Sequence, residues 1–143
     1  MTRLRSLLPS LVSCAALAFL PCIAGCGSPH DATVHGMVSL DGVPLTEGEV
    51  QFHSRGSSGT AYGPLRDGGA YALGTGSDSG LDPGEYKVTV VATEPMPKNL
   101  PAGTTPPIPK LLTPQLYGNL DTTPFTFTVK EGDNTIDLAL TSK

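Results

Sequence analysis

The chain has 143 residues, a formal net charge of −4, 17 glycines, 14 prolines and no tryptophan. That length suits one domain, and the acidic balance argues against a nucleic-acid binder, whose phosphate contacts need a basic surface. Abundant Gly and Pro favour a turn-rich β protein over a helical one.

Residues 1–25 read as a signal segment. Met1 to Ser6 holds Arg3, Arg5 and no acid, Leu7 to Leu20 is apolar apart from Pro9 and small polar residues, and Pro21 to Gly25 ends in small residues. A positive start, an apolar middle and a small-residue end are the parts of a secretory signal. The apolar stretch is shorter than the roughly 20 residues a membrane span needs. Ile23-Ala24-Gly25-Cys26 resembles the lipobox of bacterial lipoproteins. The resemblance implies a diacylglyceryl group on the Cys26 thiol and cleavage between Gly25 and Cys26. One acyl chain binds a membrane marginally and two or more hold firmly. Cys14 and Cys22 precede the cut, so the mature chain keeps Cys26 alone and forms no internal disulfide. It would carry 7 basic and 13 acidic side chains. Residues 26–32 form a tether of turn and extended formers. No acid directly follows Cys26, which by resemblance to Gram-negative sorting patterns favours the outer over the inner membrane, with the domain in the periplasm or at the cell surface.

Residues 33–143 are expected to form the folded domain. Thr33 to Leu40 alternates, with Val34, Gly36, Val38 and Leu40 on one face and His35, Met37 and Ser39 on the other. Asp41-Gly42 marks a turn. Gly48 to Ser54 follows, with Val50 and Phe52 inward. Ala61 to Arg66 is a weaker strand that Pro64 assigns to an edge. Asp67-Gly68-Gly69 turns the chain into Ala70 to Gly74, with Tyr71 and Leu73 inward. Glu85 to Thr93 places Tyr86, Val88, Val90 and Ala92 inward and Glu85, Lys87, Thr89 and Thr93 outward. Phe125 to Lys130 and Asn134 to Thr141 close the domain around Glu131-Gly132-Asp133. Seven short strands at such spacing predict a small all-β, antiparallel, seven-stranded β-sandwich of transthyretin-like or Ig-like type.

The alternation breaks across the proline-rich loop 95–124. Pro95, Pro97, Pro101, Pro106, Pro107, Pro109, Pro114 and Pro124 all fall between Glu94 and Phe125. A connection this long is either a functional loop or a stiff arm. Lys110, Leu116 and Tyr117 are its candidate partner-binding residues. The competing expectation is that Leu111, Leu116 and Tyr117 fold back over a sheet edge.

Five short motifs, in order, resemble the carboxypeptidase regulatory-like domain, a transthyretin-like β-sandwich. They are Val34-His35-Gly36-Met37-Val38, Asp41-Gly42-Val43-Pro44-Leu45, Gly48-Glu49-Val50-Gln51-Phe52, Asp67-Gly68-Gly69-Ala70-Tyr71 and Gly84-Glu85-Tyr86-Lys87-Val88-Thr89-Val90. The fourth is one residue longer than the family's usual spacing. Pro109 to Val129 looks like the end of small planctomycete-type lipoproteins of this family. The resemblance implies an accessory, non-catalytic module in which Tyr71 and Tyr86 fill the core and cap it with a hydroxyl.

Candidate chemistry is sparse. No Gly-x-Ser-x-Gly and no nucleophilic cysteine occurs in the domain, and the Tyr-Arg-Gly-Ser ending of the purine-pathway hydrolase that shares the fold is replaced by Ala139-Leu140-Thr141-Ser142-Lys143. Were Val38 to pair with Val50 in a first hairpin, His35 and His53 would lie side by side and could share a metal ion, though a zinc site needs further ligands. Asp78 and Asp82 sit in Gly/Ser turns and read as turn formers before calcium ligands. The expected function is therefore a non-catalytic, membrane-anchored envelope lipoprotein without a cofactor, a structural or interaction module. Its partners would be the membrane through Cys26 and an envelope protein or polysaccharide, with no nucleic acid. The alternative is a carbohydrate- or peptide-binding module using the proline-rich loop and an edge strand, with Tyr62 and Tyr117 as aromatic candidates.

Overall fold

The computed structural model describes residues 30–56 and 59–143. The expected signal segment, Cys26 and most of the expected tether lie outside the described residues. Among the described residues no helix is long and apolar enough to cross a membrane.

In chain order the elements are β1 (Ala32–Leu40), β2 (Val43–Pro44), β3 (Gly48–Ser54), β4 (Thr60–Pro64), β5 (Ala70–Ala72), β6 (Gly74–Thr75), β7 (Asp78–Ser79), β8 (Gly84–Ala92), α1 (Gln115–Gly118), β9 (Thr126–Val129), β10 (Gly132–Thr135) and β11 (Leu138–Leu140). They build two sheets, an all-β sandwich. In the first, β1 is central, with β10 and β11 end to end along one edge and β5 and β2 along the other. The second runs β7-β6-β4-β3-β8-β9.

The core follows from alternation. Val34 and Val38 of β1, Tyr71 of β5 and Leu138 and Leu140 of β11 meet Val50, Phe52, Ala61, Tyr86, Val88 and Val90 of the second sheet. Phe52 is wholly buried, its ring centroid 6.4 Å from Tyr71 and 6.1 Å from Tyr86. Both tyrosines cap this core as expected. Tyr71 Oη donates to Ile136 O at 2.6 Å and Tyr86 Oη to Asp82 O at 2.7 Å.

Three features depart from the sequence reading. First, β1 and β3 do not form a hairpin. Asp41 (φ 49°) and Gly42 (φ 81°) make the tight two-residue turn that only left-handed residues permit, but β2 stops at Pro44, which lacks an N–H. Buried Leu45 then leads the chain into the other sheet, so Val38 and Val50 are buried in the core from opposite sheets. Secondly, β10 and β11 run parallel to β1, making the first sheet mixed. Gly132 turns the chain out of the second sheet after β9 and delivers it to β1 in the same direction. Thirdly, the segment read as Ala70 to Gly74 splits at buried Leu73: β5 pairs with β1, and β6 pairs with β4. β4 is consequently covered on its outer side at Tyr62 alone, opposite Gly74. Pro64 lies past that contact, where no partner strand needs its missing N–H.

Candidate functional site

The chain enters β1 at one pole and leaves for the proline-rich arm at the other. Ala32 is bridged to Leu81 and paired with Gly132, beside the turn that carries Asp82. His30 Nδ1 lies 2.9 Å from Asp82 Oδ1 there, tying the first described residue to the domain. At the opposite pole, Ala92 pairs with Gly48, and the chain begins its long excursion.

The excursion is pinned at its root. Thr93 bridges Leu111, Glu94 N–H donates to Lys110 O at 2.8 Å, and Leu112 N–H donates to Ala92 O at 2.8 Å. Residues 101–110 between these pins are exposed throughout. Residues 111–123 instead fold back, because β9 covers β8 only along Gly84–Lys87 and leaves the rest of that edge open. Two threonines close it. Thr113 Oγ1 accepts from Ala92 N–H at 3.2 Å, and Thr123 Oγ1 donates to Val88 O at 2.6 Å. Each precedes a proline, Pro114 or Pro124, which keeps its backbone extended and free of the ladder. The sequence reading missed both residues, although the Thr-Pro dipeptides were a usable signal. Thr123→Val leaves the Val88 carbonyl without that donor and is expected to cost about 1–3 kcal/mol, read as a lower urea midpoint at unchanged slope.

The three candidate partner-binding residues separate. Lys110 is on the surface, 3.9 Å from Glu94, an exposed pair of little energetic weight. Leu116 packs against the core. Tyr117, only 6% exposed, stacks on Phe125 at 5.4 Å, and its Oη accepts from Thr141 N–H at 3.1 Å. Leu116 and Tyr117 thus hold the arm down and offer a partner little surface. Leu111 stays half exposed and, with outward-facing Val91 and with Leu120, lines an open apolar groove of about 430 Å³ floored by Pro114 and Gly118.

The histidine pair expected from a first hairpin is not formed. His35 lies on the outer face of the first sheet, its Nδ1 3.2 Å from Asp133 Oδ1 and its Nε2 3.1 Å from Thr135 Oγ1. His53 lies on the outer face of the second, between Thr89 Oγ1 at 3.1 Å and Thr60 Oγ1 at 3.4 Å. Thr89 is thereby buried, where alternation alone placed it in water. Burial lowers the His53 pKa, so the neutral ring is preferred. The sandwich core stands between the two imidazoles. Among the described residues no group of three or more His, Cys, Asp or Glu side chains is placed to hold a metal ion.

No family model, curated protein or solved structure matches the chain.

Proposed function

We propose that the protein is a non-catalytic lipoprotein of the bacterial envelope, with a β-sandwich of carboxypeptidase regulatory-like type that serves as an interaction module. The observation that carries this reading is the polarity of the sandwich. The tether joins β1 at one pole, and the pinned, exposed arm projects at the other, a separation of about 25–30 Å for a nine-residue strand. A lipid on Cys26 would place the arm at the end away from the membrane. The expected localisation is the outer membrane, with the domain in the periplasm or at the surface.

Labelling with radioactive palmitate tests the anchor. The parent chain should take up label and lose residues 1–25. Cys26→Ser should take up none and should not be cut before residue 26. A labelled Cys26→Ser chain, or one processed like the parent, refutes the reading.

A second reading, carbohydrate binding, draws support from Tyr62 alone, since Tyr117 is buried. Tyr62 is half exposed on β4, paired with Gln51 on one side and Gly74 on the other, which leaves its ring uncrowded. Tyr62→Ala should then abolish retention of the protein on immobilised envelope polysaccharide.

A further inference from the structure

We propose that residues 104–110, Thr-Thr-Pro-Pro-Ile-Pro-Lys, are the element a partner recognises: a preformed polyproline-type ridge that docks into an aromatic-lined, acid-rimmed groove on a protein. This rests on the interaction-module reading above and adds the chemistry of the partner.

The backbone of this segment is restrained by covalent structure. Proline rings hold φ of Pro106, Pro107 and Pro109 near −65°. The rings also force Thr105, Pro106 and Ile108, each of which precedes a proline, out of the helical region. Every residue from Thr105 to Pro109 is therefore restrained towards the extended, three-residue-per-turn form. In that form Pro106 and Pro109 share one edge, and Ile108 stands beside it. Among the described residues no backbone-to-backbone hydrogen bond uses a group of residues 105–109, so their carbonyls are open to a donor from outside.

Ile108 is 94% exposed. A lone exposed aliphatic is ordinary on a protein surface. Here it sits between two proline rings, on a loop whose root is fixed by the Thr93–Leu111 bridge and the Glu94–Lys110 hydrogen bond. Binding such a side chain costs little conformational entropy, which is how preformed proline ligands gain affinity in aromatic grooves. Charge adds a preference. Residues 95–111 hold Lys98 and Lys110 and no acid, in a chain of net charge −4. Lys110 ends the ridge with its side chain exposed and only loosely paired, 3.9 Å from Glu94, so its ammonium is open to a partner with carboxylates at its rim.

An anionic polysaccharide or lipid surface would also attract the two lysines but would be indifferent to the proline frame. The test separates these cases. The full-length lipidated protein, in its native envelope, carries photoreactive p-benzoylphenylalanine in place of Thr104. Irradiation should give one discrete protein adduct, competed by a synthetic peptide of residues 101–112. The Pro106→Ala/Pro109→Ala double variant, Ile108→Ser and Lys110→Glu should each lower its yield about tenfold, a loss of about 1.4 kcal/mol in binding. All four positions are exposed, so the urea midpoint should stay at the parent value. An adduct that survives in the double proline variant, an adduct to lipid or polysaccharide, or no adduct overturns the proposal. Fractionating the same samples reads the anchor independently. A membrane-bound chain without an adduct sinks the ridge alone, and a soluble chain with one sinks the anchor alone.

Discussion

Gly36→Val should abolish the folded state, and Gly36→Ala should lower the urea midpoint severely. A Cβ at position 36 would lie 1.9 Å from Ile136 O, 2.6 Å from Ile136 C and 3.1 Å from Tyr71 Cε1. Two of those atoms are backbone and cannot swing away. Ile136 is also held in place, since its N–H donates to His35 O at 2.9 Å and its carbonyl accepts from Tyr71 Oη. Any side chain at 36 must push β1 off the β10–β11 edge or displace the phenol. Overpacking usually costs about 1–3 kcal/mol, but a clash with fixed backbone on one side and a core ring on the other belongs with the rare changes above about 4 kcal/mol. A domain of this size has about 5–15 kcal/mol in all. Gly118→Ala is the control: its Cβ would meet Val91 Cγ2 at 3.4 Å, an ordinary contact, and the midpoint should barely move. A Gly36→Ala protein as stable as the parent would contradict this account of the first sheet.

Tyr71→Ala should be nearly as damaging, at about 3–5 kcal/mol for a buried aromatic. The ring crosses beneath Gly36, its β1 partner, and reaches the carbonyl of Ile136 on the far edge of the sheet. That hydroxyl repairs a break in the parallel ladder. β10 ends at Thr135 and β11 begins at Leu138, and in the gap Met37 N–H donates to the Asp137 carboxylate at 2.9 Å, in place of a main-chain acceptor. Tyr71→Phe keeps the ring and isolates the hydroxyl, at about 1–3 kcal/mol. It should also change the alkaline limb. Burial, with the Asp137 charge nearby, pushes the Tyr71 phenol far above its ordinary pKa of 10.0. The unfolded chain therefore ionises first. The phenol's contribution is complete below about pH 10 and is lost as pH rises towards the folded-state value. Tyr86 is raised as well, chiefly by burial, so Tyr71→Phe should flatten the alkaline loss of stability only in part. Urea midpoints from pH 8 to 11 for parent and variant check this, and parallel curves would refute it.

These two residues also explain motifs that the sequence displays without reason. The glycine of Val34-His35-Gly36-Met37-Val38 and the tyrosine after Asp67-Gly68-Gly69 are one unit, because the glycine vacates the space the tyrosine crosses. The additional glycine in that turn has a use as well. Gly68 (φ 77°) and Gly69 (φ 78°) both take left-handed backbone, and Gly69 lies against Val38 O, where a Cβ would come within 2.5 Å. Neither relation was visible in one dimension, since Gly36 and Tyr71 meet only after the chain has made an excursion through the second sheet.

The arm divides in the same way. Its proline spacing marked residues 95–124 as irregular, and the restraint on Thr105 to Pro109 is legible from the residues alone. Lys110, a candidate partner-binding residue, lies on the surface. For Tyr117 the residues allow both a partner-facing place and a fold back over a sheet edge, and the second holds: it is spent on Phe125 and Thr141, because β9 is too short to cover β8 and something apolar must.

Alternation by itself determined the β class, seven strand segments and the core side chains those strands supply, because a period of two leaves each strand only one way to bury its apolar face; Leu45, Leu81 and Tyr117 join the core from outside the strands, and Thr89 is buried on the outer face. The Asp-Gly and Gly-Gly turns were equally explicit, since few residues tolerate their backbone angles. The partner of each strand was decided only in three dimensions. Period two is indifferent to whether β1 pairs with β3 or faces it, and to whether β10 and β11 run parallel or antiparallel to it. Those choices were made by the missing N–H of Pro44, the wedge of Leu45 and the open edge of β8, and with them went the placement of His35 and His53 on opposite sides of the molecule.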